Sequence, residues 1–431
     1  MNKDKSQLLK ELNHEEKDVR LENLRQLMIK INDGELPRPK TGNDVNNHIH
    51  TSYSFSPYSP TRAVWMAYQS GLATAGIMDH DSISGAEEFI EAGKIARIAT
   101  TIGVECRVDF SKTPLAGRRI NNPDQDSIAY MTLHGLPHTQ IETIKEYFKP
   151  YQEYRNQRNR KMVERINELT RQAELSLDFD KHVVPLSQWE EGGSITERHI
   201  LYALSLRLIE LFRKGEALLS YLNEQLGLNI NDKIHGLLSD LDNPHYEYDL
   251  LGLLKGEMVA SFYIDATDEC PDVKDVIALS KEVGAICGYA YLGDVGNSVT
   301  GDKKAQKFED DYLDELFDVL KRLKFQAVTY MPSRNTPAQL DRLRALCEEH
   351  GFFQISGEDI NSSRQSFVCT AMRGEKFKNL FDSTWALVGH ELVSTEDVSK
   401  GLFTEETIEL YPDLKERIQV YKKIGLNKSS R

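Results

Sequence analysis

Short apolar runs that each end in residues able to hold a metal ion constrain this chain more than any other feature. Val45-Asn46-Asn47-His48-Ile49-His50 reads as a strand. Two histidines two apart on a strand share a face, because strand side chains repeat with period two. Converging imidazoles are a natural start for a metal site. The pair alone is a weak signal, since many His-x-His pairs are surface accidents. Its weight comes from Asp79-His80-Asp81, Gly103-Val104-Glu105, Leu133-His134 and Gly357-Glu358-Asp359-Ile360-Asn361.

The spacing of apolar residues sets these groups in a β/α rhythm. Strands are expected at 44–50, 74–78 (delivering Asp79 and His80), 100–106 and 126–134, with helices at 60–71 and 86–98 between the first three. Pro60-Thr61 opens the first of these helices. The rhythm returns after 274, with strands at 285–292, 325–330 and 352–359 and helices at 274–283, 305–322 and 336–350. Such alternation implies a mostly parallel sheet, and in these folds functional groups gather at the carboxyl ends of the strands. Here the His, Asp and Glu residues fall at those ends, one set per strand.

Four segments follow. Residues 1–43 form an N-terminal helical extension, read as an amphipathic helix over 4–31 and packed on the outside of the main domain. Residues 44–138 and 251–375 make the barrel, 139–250 a mainly helical insertion, and 376–431 a C-terminal helical extension. The insertion carries Arg155, Arg158, Arg160 and Lys161, then Ser194 to His199. The ordinary reading of that Arg/Lys cluster is a solvated helix face; the alternative is an anion clamp leaning over the barrel mouth.

Composition narrows the function. With 431 residues, 40% of them hydrophobic, a large core forms without staples. A net charge of −14 argues against a protein that coats nucleic acid. The five cysteines are scattered and form no CxxC pair, which fits reduced thiols in a cytoplasmic protein. The charged N-terminus has no apolar run for a signal peptide, and no stretch reaches membrane-spanning length, so a soluble chain without a membrane partner is expected.

The ordered set HxH, DHD, GxE, LH, RH and GEDxN resembles the PHP family, named for polymerase and histidinol phosphatase, over roughly residues 44–375. The resemblance implies an α/β fold: a distorted seven-stranded β/α (TIM-like) barrel with metals at the mouth, here with the helical insertion and peripheral terminal helices. It also implies metal-dependent phosphoester hydrolysis with Zn, Mn or Fe. By resemblance His48, His50, His80, Glu105, His134 and Asp359 match metal ligands, and Glu105 bridges. Arg198 and His199 match an Arg-Pro-His near the substrate phosphate, although here Glu197 precedes them.

Three positions depart from the family pattern: Phe55 where a ligand is common, Tyr291 where Ala-His-Pro is usual, and Asn361 for the closing histidine. Phenylalanine cannot ligate, phenol ionises only near pH ~10, and an amide oxygen is a weaker ligand than imidazole. One divalent ion is therefore expected on His48, His50, Glu105 and Asp359, and a second on Glu105 and His134. A third position, with His80 and Asn361, is expected empty or weak. Asp294 offers itself as a substitute for the missing histidine at 291.

The function expected is a metal-dependent phosphoesterase acting on a small phosphorylated metabolite or nucleotide. A metal-bound hydroxide attacks phosphorus while Arg198 and His199 hold the phosphate. The alternative is a catalytically impaired PHP-fold metal-binding protein that acts as a binding or regulatory module. The same chemistry would also serve C–N or ester hydrolysis.

Overall fold

The computed structural model describes residues 4–173, 175–295 and 306–429. Seven strands follow one another in space as in sequence: β1 (Val45–Ile49), β2 (Thr74–His80), β3 (Ala99–Asp109), β4 (Ile128–His134), β5 (Ile286–Ala290), β6 (Ala327–Tyr330) and β7 (Phe353–Ser356). Neighbours pair in parallel except at β4, which runs antiparallel to both β3 and β5. A parallel bridge from Ile49 to Ile360 nearly closes the sheet into a barrel, with His50 N–H donating to the Ile360 carbonyl at 3.0 Å. Every strand is almost wholly buried, as a sheet covered on both faces requires.

The helices in chain order are α1 (Lys5–Glu11), α2 (Lys17–Asn32), α3 (Pro60–Gln69), α4 (Ala86–Ala96), α5 (Ile141–Leu169), α6 (Glu197–Phe212), α7 (Glu216–Ser220), α8 (Asp232–Ser239), α9 (Tyr246–Phe262), α10 (Val273–Val283), α11 (Leu313–Leu323), α12 (Pro337–His350), α13 (Lys378–Glu396), α14 (Glu405–Leu410) and α15 (Leu414–Ser429). Their starts carry local signals. The Ser59 hydroxyl caps α3 ahead of Pro60, and Thr336 with Gln339 makes a capping box at α12. No helix of the described residues is long and apolar enough to cross a membrane.

The single helix expected over 4–31 is broken at residues 12–16. There Asn13 exchanges hydrogen bonds with the Ser59 amide and the Pro57 carbonyl, and Arg20 takes the His14 and Glu15 carbonyls. These tertiary bonds outweigh one more helical turn. Leu8, Leu12, Leu24 and Leu27 join the same hydrophobic cluster as β1, β2 and β3. The helix expected at 305–322 begins later, as α11 at Leu313; residue 305 lies outside the described residues. A second, separate cluster runs from Met162 and Ile166 of α5 through Leu201 and Leu204 of α6 to Leu250 and Leu254 of α9, within the segment expected to form the helical insertion.

The reversal of β4 corrects the expectation that every functional group ends a strand at the mouth. His134 pairs with Gly103, two residues before Glu105 on β3. It therefore points to the same face as Glu105 but lies about 7 Å deeper, two strand residues down.

Candidate metal centre

The mouth is assembled from the ends of β1, β2 and β3 and the turn after β7. Gly357 lets that turn reach β1, because a Cβ there would lie 2.6 Å from the His48 amide nitrogen. This close approach delivers Asp359 to the histidines. His50 Nε2 lies 3.1 Å from Asp359 Oδ1. Three imidazoles converge on one carboxylate oxygen, Glu105 Oε2: His80 Nδ1 at 3.1 Å, His48 Nε2 at 3.6 Å and His50 Nε2 at 3.9 Å. Two groups have donor atoms close enough together to share an ion: His48, His50 and Asp359, and His50, His80 and Glu105.

This grouping differs from the sequence expectation in two ways. His80 does not stand apart in a weak third position; it shares Glu105 with His50. His134 belongs to neither close group. Its Nε2 is buried with no hydrogen-bond partner, and burial, then the His48 charge, pushes its imidazole down to about 3. A neutral buried imidazole with an unused nitrogen is what a coordinating histidine looks like before it meets its ion. Asn361 donates its amide to Asp359 Oδ1 at 2.6 Å, so it orients the carboxylate.

Electrostatics at the mouth fit a cation. Burial opposes charge on Asp359, but the His50 hydrogen bond and the histidine charges hold its carboxyl well below the usual range. His80 is held well below its ordinary value by burial, then by His50. For His48, burial is the largest influence and acts downward, yet Glu105, Asp359 and Asp79 together outweigh it and the net shift is up. Three imidazoles and two carboxylates suit a borderline divalent ion such as Zn or Mn.

Sequence reasoning missed the layer behind His50. Its Nδ1 lies 3.2 Å from Ser54 Oγ, and Ser54 donates to Asp79 Oδ1 at 2.6 Å. Asp79 is fixed in turn by the Thr51 amide at 2.6 Å and hydroxyl at 2.5 Å. Because the Ser54 proton goes to Asp79, Ser54 accepts from His50 Nδ1–H, which fixes the ring with Nε2 turned toward Glu105 and Asp359. Thr51 and Ser54 stand immediately after the HxH pair, and Asp79 directly before His80; that proximity was the available signal.

The departures from the family pattern have definite fates. Phe55 turns into the insertion core, where its ring packs on His199, Tyr202 and Tyr248 at centroid distances of 5.0, 5.8 and 5.9 Å. The Tyr291 hydroxyl donates to Asp310 at 2.6 Å. Asp294 does not reach the cluster; it accepts from the Phe308 amide and pairs with Lys307 at 2.8 Å.

The structure separates the two residues expected at the phosphate. His199 is fully buried, and its Nδ1 accepts from the Thr196 amide in the capping box of α6. Burial pushes its imidazole down to about 3. It contacts Phe55 and Thr196 rather than the cluster, because the helix start claims its ring. Arg198, one residue earlier, makes no hydrogen bond or ion pair among the described residues, yet its charge helps hold down Asp359. Its charge acts on Lys255 of α9, which likewise makes no hydrogen bond or ion pair among the described residues; the Arg198 charge first, and desolvation by the surrounding protein second, lower the Lys255 ammonium to about 8. Arg155 and Arg158 are neither a solvated face nor a clamp over the mouth. Both are buried and ion-paired, Arg155 to Asp81 and Glu269, and Arg158 to Glu197 and Glu269. Arg160 does lie on a solvated face, paired with Asp180.

A model of the PHP domain matches residues 46–219, and the seven-stranded sheet agrees with such a fold. Among solved structures, a candidate metal-dependent phosphoesterase from Bifidobacterium adolescentis is 18% identical. The alignment covers 78% of this chain and 96% of that one, at a TM-score of 0.50. An amidohydrolase from Chromobacterium violaceum, solved with bound sulfate and no metal, is 15% identical. It covers 76% of this chain and 90% of that one, at a TM-score of 0.48. At 18% identity the likeness to the Bifidobacterium structure is one of fold. No curated protein matches the chain.

Proposed function

We propose that this protein is a metal-dependent phosphoesterase whose substrate is a small phosphorylated molecule. The observation that carries the reading is the convergence of His48, His50 and His80 on one oxygen of Glu105, with Asp359 against His50. A divalent ion held there would supply Lewis acidity toward a phosphoryl oxygen and lower the pKa of water. His48, His50, His80, Glu105 and Asp359 would hold it, with the deeper His134 supplying a further nitrogen; Asn361 orients Asp359.

The phosphate falls to Arg198 and Lys255. These like charges repel, with Asp124, Asp359 and Glu197 offsetting the repulsion only in part, and an incoming anion relieves the rest. Arg198 offers a planar fork for two phosphate oxygens, and Lys255 a mobile point charge. His199 serves this arrangement indirectly, by fixing the start of the helix that carries Arg198.

Phosphate release from a panel of phosphomonoesters and diesters, in Mn or Zn, tests the proposal. Wild-type protein should turn over at least one of them, His50→Ala should not, and Arg198→Ala and Lys255→Ala should chiefly raise KM. No release by metal-loaded protein contradicts the proposal. That outcome favours the second reading, a PHP-fold binding module without turnover, which the engagement of Phe55 and Tyr291 elsewhere supports.

A further inference from the structure

Asp81 follows His80 directly and holds a backbone φ of +49°. A non-glycine residue in the left-handed region is strained and persists only where its surroundings over-determine it. Around Asp81 they do. Its amide donates to the Glu105 carbonyl at 2.8 Å, its carbonyl accepts from Gln152 Nε2 at 2.7 Å, and its carboxylate meets Arg155 Nη1 at 2.7 Å. The Asp81 and Arg155 side chains are 5% and 3% exposed, so water screens this pair little.

Two of those three bonds come from α5, outside the barrel. Gln152 and Arg155 are three residues apart and share one helix face. The same face closes onto the loop before α6: Arg155 reaches Ser194 Oγ at 3.3 Å, and Gln152 reaches the Gly192 carbonyl at 3.3 Å. Arg155 Nε also lies 3.4 Å from Glu269 Oε1. Glu269 receives Arg107 at 2.6 Å and Arg158 at 2.6 Å, and both arginines pair with Glu197, the neighbour of Arg198. An unbroken set of ion pairs, buried except at its half-buried end Glu197, thus runs from the residue after His80 to the residue before Arg198.

We infer that Arg155 is a positioning residue. By holding Asp81 in its strained turn it fixes the end of β2, and so keeps His80 Nδ1 against Glu105 in the half of the metal centre that those two share with His50. The helical insertion and that half of the site then form one unit: undocking α5 releases His80. A purely structural ion pair would stabilise the fold without touching metal affinity. The inference rests on the metal-centre reading above, and its test separates the two.

The test uses the full chain, titrated with Zn and with Co by calorimetry well below the unfolding temperature, with the visible spectrum of the Co form recorded alongside. Arg155→Met should weaken metal binding by ~10–100-fold, as loss of an outer-shell partner does, and shift the Co bands. Arg155→Lys should recover part of the loss, and Arg160→Met, on the solvated face, should match wild type. If Arg155→Met does not fold, Asp81→Gly decides: it tolerates the positive φ but gives Arg155 nothing to hold, and should show the same loss. Unchanged affinity and spectrum in the folded variant overturn the inference even if the unfolding temperature falls. Wild-type protein that binds no ion at all overturns the metal-centre reading instead.

Discussion

His80 Nδ1 lies 3.1 Å from Glu105 Oε2 across two parallel strands in which these residues are direct register partners. Parallel register puts partner side chains on the same face, so the contact follows from the pairing of β2 with β3 rather than from a loop's choice of conformation. Because His48 and His50 turn toward that same oxygen, Glu105 is the common element of the cluster. Glu105→Gln keeps the volume but removes the negative charge from the point where three imidazoles meet. It should lower metal affinity by on the order of 100-fold or more, beyond the usual effect of an outer-shell change. Calorimetric titration checks this, and near wild-type affinity in the variant would show that Glu105 is not central.

Restoring a carboxylate at position 55 should not rebuild a metal position. Phe55 belongs to the core of the insertion, with its ring edge-on to His199. Phe55→Asp removes an aromatic anchor worth about 3–5 kcal/mol and buries a charge in its place. Denaturant unfolding should show a loss of at least about 3 kcal/mol, with no gain in bound metal by elemental analysis. A higher metal content at undiminished stability would contradict this account of the residue.

Much of the mouth was legible in the sequence, because local rules govern it. Period two put His48 and His50 on one face, and the β/α rhythm put His80 and Glu105 at neighbouring strand ends. What was not legible depends on long-range pairing. Nothing near residues 126–134 announces that β4 runs backward, so the depth of His134 could not be read. Arg155 and Arg158 look like any charged helix face until their partners arrive: Asp81 from 74 residues earlier in the chain, and Glu269 from more than 110 later. His199 was misread for the opposite reason: a local role, capping its own helix, outcompeted the distant one.

Stability should depend on pH through Glu309. This fully buried carboxyl receives the Tyr289 hydroxyl at 3.1 Å and the Leu292 amide at 2.9 Å on Oε1, while Oε2 has no partner. Burial, opposed by those bonds, raises it from 4.5 to about 7. The folded protein therefore holds a proton that the unfolded chain releases earlier. The resulting stability is fully present below about pH 4.5 and is lost as pH rises through about 7, at most about 3 kcal/mol. Glu309→Gln keeps an acceptor for both donors and does not titrate. Thermal unfolding between about pH 5 and pH 8 should fall with pH more steeply in wild type than in this variant. Equal slopes would contradict the assignment.

The most direct test of the central claim is anomalous scattering from a crystal of the full chain grown with Zn or Mn. A peak should appear between the imidazoles of His48, His50 and His80 and the carboxylates of Glu105 and Asp359, with ligand distances near ~2.0–2.2 Å. It should vanish in His50→Ala. A map without a peak there, with the three histidines and two carboxylates bonded only to one another or to water at saturating metal, would contradict the account.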